Sequence, residues 1–215
     1  AVDPDVDRLA FVSEDGSYFG EEYTLVAVAD HLLSRNAGPV VANLSTTQAL
    51  KDVVQQKGGV FYPSAVGEAH VVEKMKAVQA ILGGEGNGGV IDPALHYGRD
   101  ALVGIAYMLS LLAEREQKPS MLRESYPSYY MSKDKVPVSN AIKPSQVINR
   151  LEENYEAYPK ETLDGLKLWF QDRSWVHLRE SNTEPVIRIY AESPDEAFAE
   201  STVQEMRKAI ESVQS

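Results

Sequence analysis

Along the first part of the chain, short apolar runs alternate with longer stretches in which an apolar residue returns every three or four positions. Residues 9–12, LAFV, read as a strand, and the EDG that follows reads as a turn. Residues 21–34, EEYTLVAVADHLLS, predict a helix with acidic residues in its first turn, where the helix dipole favours them. GPVVANL is a run of buried-strand type. STTQALKDVVQQKGG after it predicts a helix with Ser and Thr near its cap and Gly58 and Gly59 at its end. VFYP predicts a further strand, residues 67–79 a helix with Val71, Met75 and Val78 on one face, AILGG another strand, and residues 98–115 a long, nearly all-apolar helix. Strands alternating with helices of this length predict a parallel sheet with helices on its faces.

The pattern changes near residue 118. PSMLRESYPSYYMSKDKVPVSNAIKP mixes prolines with polar residues and reads as a boundary carrying a short helix and a strand. A helix at 144–157 and three strand candidates follow, DGLKLWFQ, SWVHLRE and PVIRIYAE. A last helix is expected over about 194–213, with Pro in its first turn. The whole is an α/β chain: a mixed α/β sheet domain with helices on both faces, then a smaller α+β domain of helix, three or more strands and helix.

Composition narrows the use of this frame. With 43% apolar residues, 215 residues bury one large or two small cores. A net charge of −11 argues against a broad nucleic-acid surface but leaves room for a local basic pocket. ALVGIAYMLSLLA, residues 101–113, is too short to span a membrane, so no membrane partner is expected. There are no cysteines, hence no disulfide and no thiolate metal site. No signal-peptide pattern opens the chain, and a cytoplasmic protein is expected.

Three stretches carry chemistry. Asp3, Asp5 and Asp7 stand at alternate positions with Arg8 behind them. Adjacent carboxylates repel unless a hard cation such as Mg²⁺ or Ca²⁺ lies between them; the bland alternative is a solvated acidic segment. An EF-hand loop is disfavoured, because its sixth position requires Gly and is Arg8 here. GGEGNGG, residues 83–89, follows a predicted strand, at the end where open α/β sheets bind ligands. Its Glu85 and Asn87 suit paired sugar hydroxyls, or simply decorate a Gly-rich turn. RESNTEPVIR, residues 179–188, offers Arg179, Ser181, Asn182 and Thr183 in a tight turn, a donor set for a phosphate monoester or an ordinary polar hairpin. Arg188 is expected to pair with Glu184 or Glu192 at least as readily as with a ligand. His31, His177, Trp169 and Trp175 read as structural, whereas His70 and His96 lie nearer the candidate loops.

In this order the three stretches resemble the α-D-phosphohexomutase superfamily of phosphoglucomutase, phosphomannomutase and phosphoglucosamine mutase, over essentially the whole chain. The resemblance implies that DPDVDR is the metal loop, usually D-G-D-G-D-R, with Asp3, Asp5 and Asp7 as Mg²⁺ ligands and Arg8 beside the reacting phosphoryl group. It implies that Glu85 and Asn87 hold sugar hydroxyls and that Arg179, Ser181, Asn182 and Thr183 grip the non-reacting phosphate of a hexose phosphate. The family transfers a phosphoryl group from a phosphoserine and returns one from a bisphosphorylated intermediate. Its serine loop, of T-A-S-H-N-P type, is not found here, so the chain resembles a C-terminal piece that is inactive alone. Residues 1–18 would end the family's second domain, 19–127 form its third and 128–215 its fourth. Pro4 and Val6 replace the usual glycines of the metal loop. Gly89 and Glu68 stand where relatives often carry His, leaving Glu68 or Lys74 as candidates for the general base. A non-catalytic sugar-phosphate sensor is the alternative, disfavoured by the three intact aspartates. The preferred sugar and the oligomeric state are not legible.

Overall fold

A computed structural model describes residues 1–139, 142–181 and 183–214. The chain divides into two compact units, Ala1–Ser128 and Tyr129–Ser215.

The first unit runs α1 (Glu21–Leu33), β1 (Pro39–Asn43), α2 (Gln48–Gln56), β2 (Val60–Ser64), α3 (Glu68–Val78), β3 (Leu82–Glu85), β4 (Gly89–Ile91), α4 (Ala101–Arg115) and α5 (Pro119–Glu124). Its sheet has the order β2-β1-β3-β4, with the first three strands parallel and β4 antiparallel to β3. Strand β4 was not anticipated: GVI is too short for any period to show. The predicted strand at 9–12 is absent; Leu9 and Val12 make only isolated bridges, to Val2 and Tyr18. The long helix starts at Ala101 rather than at 98, because the Asp100 carboxylate caps it by accepting from the N–H groups of Leu102 and Val103.

Successive residues of a strand face opposite sides of a sheet. A Cβ on Gly83 would fall 2.1 Å from Met75 of α3, and one on Gly84 2.7 Å from Leu25 of α1. Helices α3 and α1 therefore cover opposite faces of β3, so closely that neither position has room for a side chain. Helix α1 is buried almost all round, with Leu25 through Ala29 fully enclosed, as expected of an apolar helix inside a layered core. On the other face Val71 and Met75 of α3 pack with Val41 and Ile91.

The second unit runs β5 (Tyr130–Pro137), α6 (Pro144–Asn154), β6 (Lys160–Glu161), β7 (Leu166–Trp169), β8 (Trp175–Glu180), β9 (Val186–Ser193) and α7 (Glu196–Gln214). All five strands pair antiparallel in the order β5-β9-β8-β7-β6. Leu166, Leu168, Val176, Leu178, Ile187 and Ile189 point to one face. There they form a core with Val147 and Leu151 of α6 and Val203, Met206 and Ile210 of α7. Removing one such Leu or Ile side chain costs about 2–5 kcal/mol. The alternate residues, among them Lys135, Lys167, His177, Arg179 and Arg188, share the sheet's other face. No helix among the described residues is long and apolar enough to cross a membrane.

Candidate functional site

In the first unit the acidic stretch closes on itself. The N–H groups of Asp7 and Arg8 donate to Asp3 Oδ1 at 3.2 and 3.0 Å, and the Val6 N–H donates to the Asp3 carbonyl. Val6 takes φ +58°, a left-handed conformation that a β-branched residue adopts only under strain and a glycine adopts freely. The turn thereby brings one carboxylate oxygen each of Asp3, Asp5 and Asp7 within 4.8 Å of one another. Arg8 Nε lies 3.6 Å from Asp3 and 3.7 Å from Asp7. Burial raises the Asp7 carboxyl above its ordinary value; Arg99 pulls it down, but Asp3 and Asp5 push it up again. The Asp3 carboxyl is lowered, because the Arg8 and Asp7 donors outweigh its own burial. Asp7 Oδ1 is buried and has no hydrogen-bond partner.

The Gly-rich stretch is a hairpin rather than an open loop. Glu85 ends β3, residues 86–88 turn, and Gly89 opens β4. Gly88 has φ +85°, and a Cβ there would lie 2.3 Å from the Leu9 carbonyl oxygen. That close approach lets the Leu9 N–H donate to the Gly88 carbonyl at 3.1 Å and ties the hairpin to the acidic turn. Asn87 turns its Oδ1 to the Gly89 N–H. With Asp3, Arg8 and Glu21 it lines a cleft of about 300 Å³.

Glu85 is buried, and its Oε1 accepts from Asn43 Nδ2 at 3.0 Å and from the Gly67 N–H at 3.2 Å. Asn43 ends β1 and Gly67 caps α3, so Glu85 sits at the carboxyl ends of parallel strands and at a helix N-terminus. Its Oε2 takes Arg99 Nη1 at 3.1 Å. A carboxylate has about four acceptor sites, so one remains for a further donor.

Glu68, the first residue of α3, accepts from the Arg99 N–H at 3.0 Å and lies 3.3 Å from Arg99 Nε. Lys74 points to the edge strand, its ammonium 5.7 Å from the centre of the Tyr62 ring. His96 is exposed, with Nε2 3.1 Å from Asp100 Oδ2.

Arg99 was missed. It joins Asp7 at 2.5 Å, Glu85 and Glu68, and it is only 15% exposed. One signal was available: a cation directly before a helix start is opposed by the dipole and calls for carboxylates nearby. Around this centre carboxylates outnumber guanidiniums five to two: Asp3, Asp5, Asp7, Glu68 and Glu85 against Arg8 and Arg99.

The second unit has the opposite character. Lys135, Arg188 and Arg179 stand in register on β5, β9 and β8, a row of cations across three strands. Like charges facing each other across strands are destabilising. Glu184 balances the row in part, 3.1 Å from Lys135 and 3.9 Å from Arg188, which is the pairing expected for Arg188. Arg179 Nε is buried with no hydrogen-bond partner. Beyond β8 the Ser181 hydroxyl lies 3.5 Å from that of Thr183, and the Ser181 N–H donates to the Val186 carbonyl. Asn182 lies outside the described residues. His177, two positions before Arg179, is fully buried and donates to the Asp164 carbonyl; burial first, and then the nearby Lys167 and Arg179 charges, push its pKa down to about 4.

A family model described as phosphoglucomutase/phosphomannomutase, alpha/beta/alpha domain III, matches residues 20–130. A second, described as phosphoglucomutase/phosphomannomutase, C-terminal domain, matches residues 135–209. The chain belongs to the phosphoglucomutase/phosphomannomutase family. It is 33% identical to a probable phosphoglucosamine mutase of Methanopyrus kandleri, over 99% of this chain and 48% of the relative. It is 34% identical to a phosphoglucomutase/phosphomannomutase of Thermococcus kodakarensis, over 93% of this chain and 44% of the relative. A crystal structure of a family protein from Burkholderia thailandensis superposes with a TM-score of 0.85 at 28% identity, covering 99% of this chain and 46% of that one. The chain thus spans about half the length of the relatives it matches. The two matched segments correspond to an α/β/α sheet unit and an antiparallel unit with a terminal helix, as the sequence pattern predicted.

Proposed function

We propose that this chain supplies the metal, sugar and phosphate sites of a phosphohexomutase, whose whole form interconverts hexose 1-phosphate and 6-phosphate through a phosphoserine and a bisphosphorylated intermediate. The observation that carries the reading is Asp7 Oδ1, buried without a hydrogen-bond partner beside two further carboxylates. All-oxygen donors and an excess of negative charge fit a hard divalent cation, and Asp3, Asp5 and Asp7 would hold Mg²⁺. When bound, Mg²⁺ supplies neutralisation of the charge that develops on a transferring phosphoryl group.

The residues of the chain do the rest. Arg8, half exposed at the rim of the cleft, offers its guanidinium to the reacting phosphoryl oxygens. The remaining acceptor site of Glu85 and the Asn87 amide take sugar hydroxyls and fix which one faces the phosphoryl group. Arg179, Ser181 and Thr183, with Asn182 in the same motif, hold the non-reacting phosphate, and Arg188 of the cation row joins them. That phosphate relieves the like-charge crowding between the strands. Glu68 is the better placed of the two candidate bases: it stands beside Arg99 and Glu85, whereas Lys74 faces Tyr62. Positioning and electrostatic stabilisation carry such a transfer, since little covalent work falls to the protein.

The phosphoryl-donor serine belongs to the other half of the whole protein. The 215-residue chain alone is therefore expected to turn over no hexose phosphate. A full-length protein containing it is expected to act on at least one of glucosamine, mannose and glucose 1-phosphate. Assays of both forms on the three sugars test this. Turnover by the chain alone, or none by the full-length protein on any of the three, contradicts the reading.

A further inference from the structure

We propose that Arg99 is a positioning residue that couples occupancy of the acidic turn to the geometry of the sugar hairpin. The inference rests on the metal reading above and goes beyond it, because no metal ligand or sugar contact includes Arg99.

The guanidinium is nearly buried, and each of its nitrogens lies within ion-pair distance of a carboxylate from a different segment, although Nε makes no hydrogen bond. Nη2 meets Asp7 Oδ2 at 2.5 Å, Nη1 meets Glu85 Oε2 at 3.1 Å, and Nε lies 3.3 Å from Glu68 Oε2. Asp7 is therefore held closely through Oδ2, while its Oδ1, 3.7 Å from Arg8 Nε, makes no hydrogen bond. This is the arrangement of a metal-binding carboxylate oriented from behind, and such outer partners change metal affinity about 10–100-fold when removed. The same side chain runs beneath the hairpin: a Cβ on Gly89 would fall 2.6 Å from Arg99 Cδ. A cation on Asp7 Oδ1 favours the carboxylate orientation that Arg99 holds, and so fixes the guanidinium against Glu85 and Glu68. Residues 86–89 are thereby made to respond to an ion that they do not touch. By linkage, a ligand on Glu85 changes the affinity for the ion by the same factor.

Mn²⁺ is a suitable probe for this chain, with calorimetry for affinity and amide hydrogen exchange for the hairpin. The wild-type chain should bind Mn²⁺ and show changed exchange at 86–89. Arg99→Ala should weaken Mn²⁺ binding by roughly 10–100-fold and abolish the hairpin response. Should Arg99→Ala fail to fold, Arg99→Lys carries the test. It keeps the charge but gathers it on one nitrogen, without the planar fork that spans the three carboxylates, so the hairpin should stay unresponsive even with Mn²⁺ bound. Mn²⁺ binding by the wild type without any response at 86–89 overturns the coupling alone, as does a wild-type response in Arg99→Lys. No Mn²⁺ binding by the wild type overturns the metal reading and the coupling with it.

Discussion

The two units build their candidate sites in opposite ways. In the first, carboxylates are in excess and arrive from three separate segments, Asp7 from the acidic turn, Glu68 from α3 and Glu85 from β3, and the Asn43 amide of β1 donates to Glu85. In the second, cations are in excess; Arg179, Ser181, Thr183 and Arg188 lie in one hairpin, with Lys135 added by the neighbouring strand. The first therefore depends on the fold of its whole unit, and the second largely on one strand-turn-strand. The difference also fits two chemistries, a cation held by carboxylates and an anion held by guanidiniums and hydroxyls.

The largest expected effect tests the acidic side of the contrast. In a full-length protein containing the chain, Asp5→Asn should lower kcat by about 10²–10³-fold, the scale of losing one preorganised electrostatic contact, while KM moves little. Steady-state kinetics on the preferred sugar phosphate decide it. A rise in KM at unchanged kcat would mean that Asp5 serves ground-state binding instead.

The next concerns the buried base under the cation row. His177 has a pKa of about 4 when folded against an ordinary 6.5. Below pH 6.5 the unfolded chain takes up a proton that the folded form refuses until about pH 4. The stability of the second unit should therefore fall as pH drops through that window and level off below it, by about 3 kcal/mol in all. Both tryptophans, Trp169 and Trp175, lie in this unit, so denaturant unfolding followed by their fluorescence reports on it selectively. His177→Asn should lose most of this slope. An equal slope in the variant would place the acid sensitivity elsewhere.

A smaller effect tests the local site. Arg179→Ala should weaken phosphate binding to the chain by about 1.5–3 kcal/mol, the scale of charged hydrogen bonds, and leave Mg²⁺ binding unchanged. Equal phosphate affinity in variant and wild type, measured by calorimetry, argues that the row of cations is only structural.

How much of this was legible in the sequence follows from the same contrast. RESNTEP carries its donors within a few residues, so reading along the chain was enough to find them. The three aspartates were legible for the same reason, as were most helices, whose apolar spacing was strong enough to show. Arg99 was not, because its partners come from distant segments and only the fold brings them to one guanidinium. Val6 looked like a loss of the flexible glycine usual in such a loop, yet the turn forms with Val6 held in the left-handed region. The segment LAFV looked like a strand from its apolar run, but the pairing it makes is limited to single bridges. Strand β6, Lys160–Glu161, is two polar residues and offers no pattern at all.

The most direct test of two complementary sites is a pair of amide NMR titrations on this chain, one with Mg²⁺ and one with inorganic phosphate. The account predicts that Mg²⁺ shifts residues 3–9 and 85–89 and spares 179–188, while phosphate does the reverse. Both ions perturbing the same residues, or Mg²⁺ leaving Asp3, Asp5 and Asp7 unmoved, would contradict it.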